Sequence, residues 1–168
     1  MRWLAGVAGL TGVAGLAGVA GLMGILAGPD AMAGDGGALF AQNCELCHQA
    51  GAKGLPGQFP RLAGRLAVIS THAEGRVYLA DVLTYGLSGT VKVDDQQIVG
   101  VMPPFAVLPN DVVADILNYV QTLGDPPKKG ALRPFTEQEI AAARTQAGKS
   151  MDDVQSERRM LQHAKIIE

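Results

Sequence analysis

The chain has 168 residues, 48% of them hydrophobic but only 5% aromatic, with 14 basic and 16 acidic side chains and a formal net charge of −2. That length holds one domain with appendages, and so few aromatic rings make a thin core for it unless a bound apolar group supplies part of the missing surface. No basic patch is interleaved with aromatic residues, which excludes nucleic acid as an expected partner.

Arg2 supplies a minimal positive charge, residues 3–27 run without any charge, and Ala31-Met32-Ala33 forms an A-x-A cleavage signature before Gly34. The apolar run of 25 residues is also long enough, at about 1.5 Å per helical residue, to span a bilayer. An uncleaved anchor is therefore the competing reading. Glycine recurs at 6, 9, 12, 15, 18, 21 and 24. Without accompanying proline this is not collagen, and glycines three apart wind around a helix instead of lining one dimerising face. They lower helix propensity and hydrophobicity, which favours residues 1–33 as a signal peptide and Gly34 as the mature N-terminus.

The next element ends in Cys44-Glu45-Leu46-Cys47-His48. This C-x-x-C-H spacing is what covalent haem attachment requires. On one turn of helix the two thiols meet the two vinyl groups of a single haem, and the adjoining imidazole lies under the iron as proximal ligand. A zinc half-site needs further ligands, yet Cys44 and Cys47 are the only cysteines, and neither a second C-x-x-C nor an H-x3-H is present. A thioredoxin-like pair follows a strand in a βαβ pattern, whereas the residues before Cys44 read as helix.

Gly36, Phe40 and Cys44 stand at intervals of four on that helix. With the C-x-x-C-H motif, they make the stretch from about Gly36 to Gly124 resemble the class I c-type cytochromes. The resemblance implies an all-α cytochrome c fold around one covalently bound haem c with its iron. It implies that Gly36 lets a second helix cross closely and that Phe40 meets Tyr119, because residues 111–120 are similar to the family's C-terminal helix. In that family haem is attached outside the bacterial cytoplasm. The expected location is the periplasm, or the inner membrane facing the periplasm if the N-terminal segment stays in place.

Pro60 follows His48 by twelve residues in Phe59-Pro60-Arg61-Leu62-Ala63-Gly64, as the family's proline loop does. The resemblance implies that the Pro60 carbonyl accepts the Nδ1 proton of His48 and that Leu62 faces the haem plane. The alternative is an ordinary turn, since Gly54, Pro56 and Gly57 punctuate the same stretch. Arg61 and Arg65 are candidates for pairing with the haem propionates.

Glu74 to Tyr85 reads as a helix stopped by Gly86. Thr71 and Glu74 are spaced as a capping box, which makes His72 an exposed residue at a helix start and only a rival distal ligand. From Thr90 to Val101, β-branched alternation around Asp94-Asp95 fits either a small hairpin or an irregular loop. Met102 heads Met-Pro-Pro-Phe, where two prolines forbid helix and hold the preceding side chain in an extended loop. The family carries its distal methionine in such a loop, so Met102 is the expected second axial ligand, the alternative being a core filler. Met1, Met23 and Met32 lie in the targeting segment, while Met151 and Met160 lie in a charged tail with no apolar core around them.

Asn110 caps a helix from about Asp111 to Leu123, ended by Gly124 and Pro126-Pro127. Residues 34–124 form the expected haem domain, with five basic and eight acidic residues, and residues 125–168 a helical tail with eight and seven. Thr136 with Glu139 opens a helix to about Gln146, and Ser150 with Asp153 opens another to about Lys165.

Two function classes follow. A haem ligated by His48 and Met102 has no open site and serves electron transfer. Resemblance to cytochrome subunits of periplasmic dehydrogenases implies redox partners: a dehydrogenase donor and another cytochrome or an oxidase as acceptor. The alternative is a haem enzyme or gas sensor whose distal position is open or displaceable.

Overall fold

A computed structural model describes residues 34–168, and the segment read as signal peptide or anchor lies outside the described residues. In chain order the elements are α1 (Gly36–Asn43), α2 (Glu45–His48), a single 3-10 turn, α3 (Arg65–Ser70), α4 (Ala73–Tyr85), β1 (Leu87–Val93), β2 (Gln96–Met102), α5 (Asn110–Gln121), α6 (Glu137–Ala143) and α7 (Met151–His163). Among the described residues, no helix is long and apolar enough to cross a membrane.

Helix α1 starts where the Asp35 carboxylate accepts from Ala38 N–H at 3.0 Å. It crosses α5 so closely that a Cβ on Gly36 would lie 2.4 Å from the Asp115 carbonyl and 2.8 Å from Tyr119 Cβ. The Phe40 and Tyr119 rings meet with centroids 5.7 Å apart. This crossing is the one the resemblance implies, and it anchors the segment that ends in His48.

Asp94 and Asp95 both take positive φ, 51° and 60°, the backbone of a tight two-residue connection whose twist matches the strands. The loop alternative for this region therefore gives way to a hairpin, and a longer one than the residue pattern suggested, pairing Leu87↔Met102 through Val93↔Gln96. Its register carries the chain directly into Met102.

Two expected caps are corrected. Thr71 does not cap α4: its hydroxyl donates to the Val68 carbonyl at 2.7 Å and closes α3, a helix the sequence reading left unassigned, and extended His72 takes the N-cap position. Asn110 lies inside α5 behind Pro109, with its side-chain oxygen buried and unpaired. The two tail boxes, Thr136 with Glu139 and Ser150 with Asp153, are both formed.

The expectation that the tail lacks an apolar core is also corrected. Phe135, Ile140, Ala143, Val154 and Leu161 belong to the same buried cluster as Phe40, Leu79, Leu83, Val113 and Leu117. Hydrophobic side chains at 154 and 161 fall on one stripe of α7, the spacing that seats a helix on a neighbour, and α7 lies along α4 and β1. Arg76, buried on α4, completes the join: it binds both carboxylate oxygens of Glu139 at 2.8 Å, donates to the carbonyls of Arg133 and Pro134, and stacks 3.8 Å over Phe135. Asp81, fully buried on the same helix, receives Lys149 Nζ at 2.6 Å.

Candidate haem site

Cys44, Cys47, His48 and Met102 line one cleft that opens to solvent. Its other walls are Asn43, the Gln58-Phe59-Pro60 loop, the hairpin residues Leu87, Gly89, Val91, Ile98, Gly100 and Val101, and Pro103 with Phe105. No charged side chain is among them. The chain thus offers two thiols, one imidazole and one thioether inside an apolar slot, a donor set that suits an iron held in a flat apolar macrocycle.

The turn around His48 is tied down from both sides. His48 is buried, with Nδ1 3.0 Å from the Pro60 carbonyl. Burial lowers its basicity, and the Pro60 carbonyl opposes this only in part. A neutral ring that donates from Nδ1 keeps its Nε2 lone pair free for a metal. The thiol of Cys44 is pushed up to about 11, first by burial and then by the neighbouring Cys47, so it is held as a protonated thiol at neutral pH.

Gly54 makes the His48 contact possible, and the sequence reading missed its role. At φ +69° its N–H donates to the His48 carbonyl at 2.8 Å, and a Cβ there would lie 2.5 to 2.6 Å from Arg61 N, the Phe59 carbonyl and Pro60 C. Only glycine combines that left-handed backbone with that approach. Gly86 acts in the same way for Met102: at φ +81° it ends α4, and a Cβ would lie 2.7 Å from the Met102 carbonyl. In both cases the signal was a glycine, six residues after His48 and sixteen before Met102, which single-sequence reading treats as punctuation.

A family model described as "Cytochrome C oxidase, cbb3-type, subunit III" matches residues 31–120. A cytochrome c-552 of Thermus thermophilus is 41% identical over 120 residues, 71% of this chain and 80% of that protein. A second Thermus thermophilus cytochrome c-552 is 42% identical over 111 residues, covering 66% and 84%. The chain belongs to the class I c-type cytochromes. Haem c with its iron, and electron transport with redox partners, follow from that membership.

The cytochrome does not bring every candidate into the cleft. Leu62 is half-buried, packs on the hydrophobic core and is not among the lining residues. His72 is exposed at the start of α4 and is likewise not among them. Arg61 is paired through two nitrogens with Asp94, at 2.6 and 2.7 Å, and also donates to the Ala63 carbonyl. Arg65 pairs with Glu168 at 3.2 Å. Both arginines proposed for the propionates thus have other partners here.

Proposed function

We propose that this cytochrome is a one-electron carrier in which a single haem is joined by thioether bonds to Cys44 and Cys47, with His48 as proximal and Met102 as distal ligand. The observation that carries this is the convergence of those four side chains, from two regions more than fifty residues apart, on one apolar cleft. Bound there, haem supplies a reversible one-electron couple whose potential the thioether raises. Pro60 holds the imidazole in the ligating tautomer, and the Met102-Pro103-Pro104 backbone presents the thioether with little ordering cost. The hairpin and Phe105, which line the cleft, would shield a haem held there from water. With both axial positions taken no substrate site is left, which favours a carrier over an enzyme or sensor.

The A-x-A signature at residues 31–33 supports export with cleavage before Gly34 and a soluble periplasmic carrier. A dehydrogenase on one side and a cytochrome or oxidase on the other are the partners this reading assigns, and the oxidase-subunit description of the matching family model accords with the second. The purified native chain tests the proposal. Its mass should be that of residues 34–168 plus one haem, the haem should survive acid-acetone extraction, and the oxidised protein should show the weak methionine-to-iron band at the red end of its spectrum. Met102→Ala should abolish that band. Complete haem extraction rejects covalent attachment, and an unchanged spectrum in Met102→Ala rejects the distal assignment.

A further inference from the structure

Two walls of the slot come from distant parts of the chain, and one ion pair runs from one to the other. The Gln58-Phe59-Pro60 loop lines the cleft on the side where Pro60 holds His48, and the hairpin lines it with Leu87, Gly89, Val91, Ile98 and Gly100. Arg61 directly follows Pro60, and Asp94 stands in the two-residue turn of the hairpin. The guanidinium meets the carboxylate side-on, Nε to Oδ2 at 2.7 Å and Nη2 to Oδ1 at 2.6 Å, while Nη1 donates to the Ala63 carbonyl and fixes the direction of the side chain. Arg61 thereby holds the Asp94 carboxyl below its ordinary value. The hairpin nears the same loop a second time, where Gln96 Oε1 lies 3.9 Å from the position of a Cβ on Gly57.

The two ends of this pair are held with different firmness. The loop that carries Arg61 is fastened into the core: Gly54 N–H donates to the His48 carbonyl at 2.8 Å, Leu62 N–H to the Ala52 carbonyl at 2.9 Å and Gly64 N–H to the Leu123 carbonyl at 2.7 Å. The hairpin has less footing. Two strands alone are marginal in water, and among the described residues β2 is hydrogen-bonded only to β1, whose far edge is tied to α7 by Gln155 and Arg158. An isolated exposed ion pair contributes little unless its geometry is good, but this one is bidentate, is steadied by a third bond and joins a firm wall to a soft one. Because β2 ends at Met102, movement of the hairpin is carried to the thioether. We infer that Arg61 and Asp94 form a clasp between the two walls of the slot, positioning residues that hold the hairpin over the cleft and set how often the Met102 side opens. This rests on the proposed haem site.

The test is the rate at which cyanide binds the ferric holoprotein at pH 7, in wild type, Arg61→Gln, Asp94→Asn and the double variant. The ligand enters as neutral HCN: the iron bond to the Met102 sulfur breaks, an iron–carbon bond forms and the proton passes to solvent, with no change of oxidation state. At saturating cyanide the rate is the rate of opening. Asp94→Asn keeps the turn, since asparagine tolerates the positive φ of this position, and keeps the backbone bond to Glu168. Each single variant should raise the limiting rate at least fivefold, and the double variant should match the faster single, because both remove the same pair. Salt should raise the wild-type rate, since both side chains are about two-fifths exposed, and leave the variants unchanged. A structural loss elsewhere gives neither pattern.

A second readout needs no reaction at iron. Amide exchange across residues 93–98 of the holoprotein should speed up at least fivefold in Asp94→Asn and stay as in wild type in α1 and α5. An unmoved limiting rate in Asp94→Asn, multiplied effects in the double variant, or a salt response shared by wild type and variants overturns the clasp. If Arg61→Gln does not fold, the rate, salt response and exchange of Asp94→Asn decide it alone. A wild-type chain without covalent haem rejects the proposed function instead, and the exchange of residues 93–98 then decides the clasp by itself.

Discussion

Glu139→Gln isolates the charge that joins the tail to α4. Gln keeps the shape of Glu and can still accept from the Thr136 backbone as the second half of the capping box, so the loss is that of the ion pair. Arg76 holds the Glu139 carboxyl far below its ordinary value of 4.5, at about 2, with the Thr136 backbone and Arg133 adding to it. At about 1.4 kcal/mol per tenfold change in proton affinity, that drop corresponds to roughly 3 kcal/mol, close to the 3–5 kcal/mol seen when a buried pair loses one partner. The sign follows from linkage. A carboxyl depressed in the folded state adds stability that is complete above pH 4.5 and is lost as pH falls from there toward 2. Urea unfolding of wild type and Glu139→Gln should therefore differ by about 3 kcal/mol at pH 7, roughly 1.5 M in midpoint for an m-value near 2 kcal/mol/M, and the two curves should converge only as pH falls to about 2 and below. A difference below about 1 kcal/mol at pH 7, or one that stays constant with pH, would refute the reasoning.

Gly36→Ala should destabilise the holoprotein by at least about 2 kcal/mol, because the new methyl meets the backbone of α5 and not a movable side chain; a thermal midpoint within 2 °C or so of wild type contradicts the close crossing. The rate of electron exchange with a partner should depend only weakly on ionic strength. Leu46, between the two cysteines, and Val107, two residues after Phe105, are about nine-tenths exposed, and Val101 of the cleft wall is two-thirds exposed, with Glu45 and Lys53 as the charges nearest in sequence to the haem motif. Exposed charge pairs are what salt screens, so a rate that falls by orders of magnitude between low and physiological salt would transfer the docking role to charged parts of the tail.

Much of the cleft was legible because its chemistry is local in sequence. Cys44, Cys47 and His48 fall within five consecutive residues, Met102 is marked by the prolines after it, and Thr136 and Ser150 announce their helices through side chains three residues away. The illegible parts depend on distant partners. Thr71 and Asn110 have the right neighbours for caps, but Thr71 finds the closer Val68 carbonyl and Pro109 already supplies the extended residue before α5. Arg61 stands beside Pro60 in the chain, yet its geometry is set by Asp94, thirty-three residues on, at the hairpin turn. Arg158 lies in a run of charged residues, and nothing in that run distinguishes the guanidinium that faces inward from Arg159, which reaches only Ser156 beside it.

The hairpin shows how tail and cleft depend on each other. Two strands alone are marginal in water, and the outer edge of β1 would leave carbonyls without donors. Helix α7 covers that edge: Gln155 donates to Thr90 at 2.9 Å and Arg158 to Lys92 at 3.1 Å. On its cleft side the hairpin presents Leu87, Val91 and Ile98, apolar surface that needs a bound group to cover it. With a haem in the cleft the hairpin would be held between the tail and the cofactor, and anything that binds only the ordered hairpin stabilises it by mass action. A chain with Cys44 and Cys47 both changed to Ala should lose amide-exchange protection in residues 87–102 by a hundredfold or more while α1 and α5 lose much less, since the Gly36 crossing does not involve the cleft walls. Equal loss across all elements would mean that the haem is needed for the entire core, and retained protection in the hairpin would mean that α7 alone is enough to hold it.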